Sequence, residues 1–208
     1  MRDAYETVAG RTVHETEINR SRFLCALAPV GTEEDAQAFV AEVRAAHPAA
    51  NHNCWAYVLG ADAGVQRSSD DGEPGGTAGL PMLQMLLRRE VRFTAAVVTR
   101  YFGGIKLGAG GLIRAYGGVV GTALDAAGTV TRRRLRLVTV TVGHERAGRL
   151  ENDLRATGHA VREVEYGAEV TIGVGLPAGD VEAFRAWLAG ATGGAARLAL
   201  GGEVYAPG

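Results

Sequence analysis

The chain has 208 residues, 47% of them hydrophobic and 22% charged, and a formal net charge of −1. That is an ordinary globular composition, long enough for one large domain or two small ones, and it excludes any overall charge pull toward nucleic acid or a membrane surface. Charge is evenly spread, with 12 basic and 14 acidic residues up to Gly128 and 10 and 9 after it, so an anion-binding surface must be local.

In chain order, "TVHETEINRSRFLCALAPV" gives two β-like runs parted by "NRS". "GTEEDAQAFVAEVRAAHP" reads as a helix with Thr32 as N-cap and acids in its first turn. Ala36, Phe39, Val40 and Val43 share its apolar face, and Pro48 stops it. "HNCWAYVLG" is a strand, and "SSDDGEPGGTAG" is an aperiodic loop. "LPMLQMLLRRE" is a short helix with Leu80, Leu83, Leu86 and Leu87 on one side. "RFTAAVVTRYF" is a buried strand. "AGGLIRAYGGVVGTALDAAG" is a helix whose Leu112, Ile113, Tyr116, Val119, Val120, Ala123 and Leu124 form a 3.6-period stripe.

A second pattern begins near Thr129. "RRLRLVTVTV" alternates as a strand, and "HERAGRLENDLRATG" is an amphipathic helix ending at Gly158. "AVREVEYG" and "AEVTIGVGL" are strands joined by a tight turn at Gly167. "PAGDVEAFRAWLAGATGG" is a helix with Asp180 near its cap, and "AARLALGGEVYAP" is a last strand. The order β-α-β-β-α-β is the ferredoxin-like plan. The expected domains are therefore residues 1–128 and 129–208, in a mixed α/β (α+β) protein.

Cys25 and Cys54, the two cysteines, each sit in an apolar strand-like run. They read as buried free thiols of a reducing compartment rather than a disulfide framework. The first residues lack the apolar core of a signal peptide, and no run reaches the ~20 apolar residues of a membrane helix. The expected location is cytoplasmic, with no membrane partner.

Glycine is densest in "VVTRYFGGIKLGAGGLIRAYGGVV", residues 97–120, which also holds the chain's one lysine, Lys106. Glycine inside a helix costs about 1 kcal/mol relative to alanine, so these positions need a sharp bend or a close approach. A glycine-rich loop that opens a helix offers backbone N–H groups to an anion. Arg100, Lys106 and Arg114 add charge there, and Tyr101 and Phe102 offer stacking faces. Gly103, Gly104 and Gly108 leave the backbone approachable, and His52 at a strand start is within reach of the loop. The segment matches neither the dinucleotide fingerprint nor the phosphate loop GxxxxGK[ST]. Its plain alternative is a tight strand-to-helix turn, with Gly117, Gly118 and Gly121 allowing close helix packing.

Asp70, Asp71 and Glu73 in the acidic loop admit three readings: oxygen ligands for a divalent cation, a solvated turn, or an ion pair between one acid and Arg100 that fixes the two loops together. The third is preferred, with Asp70 or Asp71 as the partner weighed first, and no metal or cofactor is expected. His52 and Cys54 lie two apart on a strand, share a face and lack an acid partner, so no catalytic dyad is assigned. His14, His47, His144 and His159 read as surface or turn residues.

"SSDDGEPGGTAGLPML" followed by "VVTRYFGGIKLGAGGLIRAYGGVV", with "HNCWAY" upstream, resembles the signature of the YigZ/IMPACT family over residues 1–128, and the tail resembles the small domain of its bacterial members. The resemblance implies an N-terminal left-handed βαβ domain similar to a ribosomal-protein domain and to elongation factor G domain IV. It implies a C-terminal domain similar to elongation factor G domain V. It also implies a part in translation, through RNA, the ribosome or a protein partner, and it supplies no catalytic residue. The leading expectation is a non-enzymatic accessory factor or regulator of translation that binds RNA or the ribosome. The alternatives are an enzyme on a phosphorylated or carboxylated small molecule, using the glycine cleft with His52, Asp70 and Asp71, and a protein–protein adaptor.

Overall fold

The computed structural model describes residues 2–207, which form a mixed α+β protein. Its contacts divide into two compact units, residues 1–132 and 133–208. The first carries β1 (Ala4–Val8), β2 (Thr12–Ile18), β3 (Ser21–Pro29), α1 (Glu33–Ala46), β4 (His52–Leu59), β5 (Val65–Ser69), α2 (Gly79–Arg88), β6 (Thr94–Tyr101) and α3 (Gly108–Ala127). β2 to β6 build an antiparallel sheet in the order β2-β3-β6-β4-β5.

β6 lies inside this sheet, and its run of small apolar residues follows from that place. Ala96 and Val98 face one layer while Ala95 and Val97 face the other, the period of two of a strand. On the first face, Phe23, Cys25, Cys54 and Val58 pack with Met82 and Leu86 of α2 and with Leu112, Tyr116 and Val120 of α3. On the opposite face, Ala36, Phe39 and Val40 of α1 pack with Ala26, Tyr57 and Val97. Cys25 and Cys54 both stand opposite Val98, one on either side of it. Both are free and buried, and burial pushes each thiol up to about 12.

Local signals account for the ends of these elements. Thr32 and Asp35 form a reciprocal capping box at α1. The β2–β3 hairpin turns on Asn19 and Arg20, both at positive φ, the two-residue loop that strand twist favours. Three details differ from the sequence reading. Ser68 and Ser69 end strand β5 rather than opening a loop; this edge strand has Val65 as its one apolar residue, so it gives no alternating signal. β1, five residues long, is a further strand that the sequence reading does not assign. The buried face of α2 is Gly79, Pro81, Met82 and Leu86, and Leu80 is exposed, as is Ile113 of α3.

The second unit continues β7 (Thr129–Val142), whose first four residues belong to the first unit, into α4 (His144–Ala156), β8 (Ala160–Tyr166), β9 (Val170–Pro177), a 3-10 turn (Ala178–Asp180), α5 (Val181–Thr192) and β10 (Arg197–Pro207). Its strands are ordered β10-β7-β9-β8. Val138, Val140, Ile172 and Val174 of the sheet pack with Leu150 and Leu154 of α4 and with Phe184 and Leu188 of α5. Gly158, at φ +79, closes α4 while the His159 N–H bonds back to Leu154 O and that of Gly158 to Arg155 O. His159 is half-buried and packs edge-on against Phe184 and Trp187, rather than lying free at the surface. Asp180 is the N-cap residue of α5 but makes no side-chain capping bond. No helix among the described residues is long and apolar enough to cross a membrane.

Candidate functional site

An arginine inside the apolar run "AAVVTRYF" must find a partner when the strand is buried. Arg100 finds Glu73: the guanidinium, 6% exposed, donates from Nη1 to Oε1 at 2.6 Å, and the glutamate side chain is 3% exposed. The same oxygen accepts the Tyr116 hydroxyl at 2.7 Å. Burial, with Cys54 and Glu73 adding to it, drives the Tyr116 phenol far above its ordinary value, so it stays a donor. Arg100 also reaches Ser21 Oγ at 3.4 Å and lies over the rings of Phe23 and Phe102. Arg100 and Glu73 therefore tie together the β2–β3 hairpin, through Ser21, the acidic loop, and α3, through Tyr116. The partner is Glu73 rather than Asp70 or Asp71, and Arg100, assigned from the sequence to an anion, is a buried ion-pair residue.

The other two acids serve the backbone. Asp70 accepts from the amides of Gly76 (2.8 Å), Ala78 (3.0 Å) and Gly79 (2.8 Å), which supplies the cap that α2 lacks at Ala78. Burial alone would raise its carboxyl, but the three N–H groups outweigh it and hold the group below the usual carboxylate range. Asp71, itself at positive φ, accepts from Asn53 N at 2.6 Å and pairs with Arg44. Among the described residues no cluster of three His, Cys, Asp or Glu side chains is placed to hold a metal ion.

His52 stands directly across from Arg100 on the neighbouring strand. Its Nδ1 lies 2.9 Å from Asp71 O. A carbonyl only accepts, so Nδ1 carries the hydrogen, and in the neutral ring Nε2 keeps a lone pair. That nitrogen is 3.9 Å from Glu73 Oε1.

Above this cluster lies a cavity of about 370 Å³. His52, Glu73 and Arg100 are at its polar end, Phe102, Leu107 and Leu112 give it apolar walls, and Lys106 and Gly108 lie where α3 begins. Phe102 is 46% exposed. Lys106 is exposed and has no ion pair among the described residues. α3 starts without a side-chain cap and without an acid in its first turn, so its leading N–H groups and the positive end of its dipole are uncommitted. Two glycines have definite reasons. A Cβ on Gly103 would sit 1.9 Å from Arg20 O, so the loop lies directly on the hairpin turn, and Gly108 enters α3 at φ +70. Gly104, at φ +86, turns the loop between them.

Two residues placed at this site from the sequence lie elsewhere. Tyr101 is directed to α1, where its hydroxyl meets His47 Nδ1 at 2.9 Å, and it does not line the cavity. Arg114 lines a separate depression of about 290 Å³ with Asn19 and Gly111. The sequence reading missed Ser21, Asn51 and the hydroxyl of Tyr116. Asn51 Oδ1 accepts the Phe102 N–H at 2.8 Å, and the apolar stripe of α3 accounts for the Tyr116 ring but not for its hydroxyl. A further cavity of about 380 Å³ between α1 and the β2–β3 hairpin, walled by Val13, Leu24, Phe39 and Val43, lacks such a buried polar cluster.

The Impact N-terminal domain matches residues 19–124, a span that includes the ion pair, the cavity and the glycine loop, and the Domain of unknown function (DUF1949) matches residues 140–195. The chain belongs to the IMPACT family. It is 42% identical over 205 residues to IMPACT family member YvyE of Bacillus subtilis (strain 168), covering 99% of this chain and 94% of that one. It is 43% identical over 184 residues to IMPACT family member YigZ of Escherichia coli (strain K12), covering 88% and 90%. A crystal structure of a hypothetical protein superposes with a TM-score of 0.66 at 39% identity, over 95% of this chain and 97% of the other. The match to YvyE thus runs through both units.

Proposed function

We propose that this IMPACT family member is a cytoplasmic, non-enzymatic accessory factor of translation that binds RNA, free or in the ribosome, with the loop between β6 and α3. One observation carries the reading: Lys106, without an ion pair among the described residues, and the uncapped start of α3 line the same cavity as the exposed ring of Phe102. Cationic and amide donors suit phosphate oxygens, and an exposed ring suits an unstacked base. Lys106→Ala, measured against single-stranded RNA over a salt series, should lower affinity about equally across sequences and reduce the salt slope by about one unit. It should leave the thermal midpoint in place, because the exposed side chain packs on little. Unchanged affinity and slope would remove the loop from the binding surface and favour a protein–protein adaptor.

The volume of the cavity favours a second reading, an enzyme on a phosphorylated or carboxylated small molecule. Asp70 and Asp71 are held by amides and Arg44, so such an enzyme would have to work with His52 and Glu73. Turnover of a small phosphorylated compound, abolished by His52→Ala, would favour it.

A further inference from the structure

We infer that the cavity beside α3 seats a single unstacked guanine base. The inference rests on the RNA reading for the source of the ligand but not for the chemistry of the pocket.

The polar end of the cavity is unusual in what it leaves open. Glu73 Oε1 is occupied by Arg100 and Tyr116, while Oε2 has no protein partner among the described residues. Oε2 is also not among the fully buried unpaired atoms, although the side chain is 3% exposed and lines the cavity. His52 Nε2, with Nδ1 committed to Asp71 O, is a second acceptor in the neutral ring and lies 3.9 Å from the occupied oxygen of the same carboxylate. Two acceptors at one end of the cavity call for a ligand that presents a donor to each. Asn51 completes the set. Its Oδ1 is fixed by the Phe102 N–H, which leaves its Nδ2 as a donor with no protein partner among the described residues, and it too lines the cavity.

Two adjacent acceptors and one donor match one nucleobase edge. Guanine presents N1–H and the 2-amino group as donors and O6 as acceptor. Adenine and cytosine each offer one N–H on that edge, the second hydrogen of the amino group pointing away from it, and uracil offers one N–H between two carbonyls, so each leaves an acceptor unpaired in a half-buried site. Phe102 supplies a stacking face and Leu107 and Leu112 an apolar wall. At the mouth, Lys106 and the first amides of α3 suit the attached phosphate. The floor, wall and mouth thus repeat the order of a nucleotide: base edge, base plane, phosphate.

The test titrates the full chain with guanosine, inosine, adenosine and uridine 5′-monophosphates. The guanine nucleotide should bind saturably, the inosine one more weakly for want of its 2-amino group, and the other two at least about tenfold more weakly. Phe102→Ala should weaken guanosine monophosphate by about fivefold or more. Asn51→Asp keeps the acceptor that the Phe102 N–H uses and removes the donor, so it should lower guanine affinity in a folded protein. Glu73→Gln, checked for an intact melting transition, should abolish the preference for guanine over inosine and adenine. A uridine octamer carrying one guanosine identifies the source. Binding tighter than that of the mononucleotide assigns the base to RNA, and equal binding assigns it to the free nucleotide. No saturable guanosine monophosphate binding, or equal binding of adenosine monophosphate, overturns the proposal. If RNA still binds with a Lys106-dependent salt slope in that case, only the guanine pocket falls; if that slope is absent too, the RNA reading falls with it.

Discussion

At the scale of the residue, the site is organised by one buried carboxylate. Glu73 and Arg100 were both taken out of water, so each is tolerable only while the other is present. Arg100→Ala should therefore destabilise the first unit by about 3–5 kcal/mol. Combining it with Glu73→Gln should restore part of the loss, because no charge is then stranded; chemical denaturation of the two variants measures the difference. Equal stabilities of the single and double variants would show that the loss comes from packing alone. The need for this pair was legible in the sequence, since an arginine in an apolar strand demands an acid. Which acid was not, because Asp70, Asp71 and Glu73 are separated by one to three positions and their directions are set by the positive φ of Asp71 and Gly72. Tyr116 was hidden for a different reason. Its ring obeys the helical apolar period, and nothing in that period reports where its hydroxyl points.

At the scale of the element, Asp70 acts as a helix cap from outside the helix. Local caps are legible, as Thr32 and Asp35 of α1 are, because they lie three residues apart. Asp70 precedes α2 by nine positions and reaches its amides only because the loop folds back, so no sequence window contains the motif. Asp70→Asn should cost about 1–2 kcal/mol, measured by urea unfolding. The pH dependence has a definite sign. The folded carboxyl lies below its ordinary value of 3.8, so its contribution is complete above about pH 5 and is lost as the pH falls through the ordinary value and then the folded one. The Asn variant should lack that share of the acid loss, and parallel pH profiles for variant and parent would contradict the capping role. The long periodic helix α3, apart from the exposed Ile113, and the continuous apolar strand β6 were readable. The short edge strand β5 and the true face of α2 were not, since tertiary packing and not periodicity decides them.

At the scale of the molecule, the chain pattern proposes a second domain at residues 129–208, with its own core of β7, β8, β9, α4 and α5. Expressed alone, that segment should unfold cooperatively, with far-UV circular dichroism and a single melting transition as the readout. It should also respond to pH in its own window. Burial against Phe184 and Trp187 lowers His159, with Asp180 opposing this weakly. A group with a depressed folded value contributes stability that is present above its unfolded value of about 6.5 and is lost as the pH falls through the folded one. The melting temperature of the segment should thus drop between neutral pH and pH 5, and His159→Phe should flatten the drop. A segment that melts without cooperativity would move the boundary or merge the domains.

The exposed position of Lys106 has a practical side as well. A chain with a single ε-amine, set at the mouth of a cavity, can be tagged there by amine-directed bioconjugation with no engineered handle, the α-amino terminus being the one competing nucleophile of that class. A fluorophore attached at that point would share the cavity rim with Phe102, so ligand entry becomes an optical signal, and reductive alkylation, which keeps the amine basic, is the conjugation chemistry that preserves the cation.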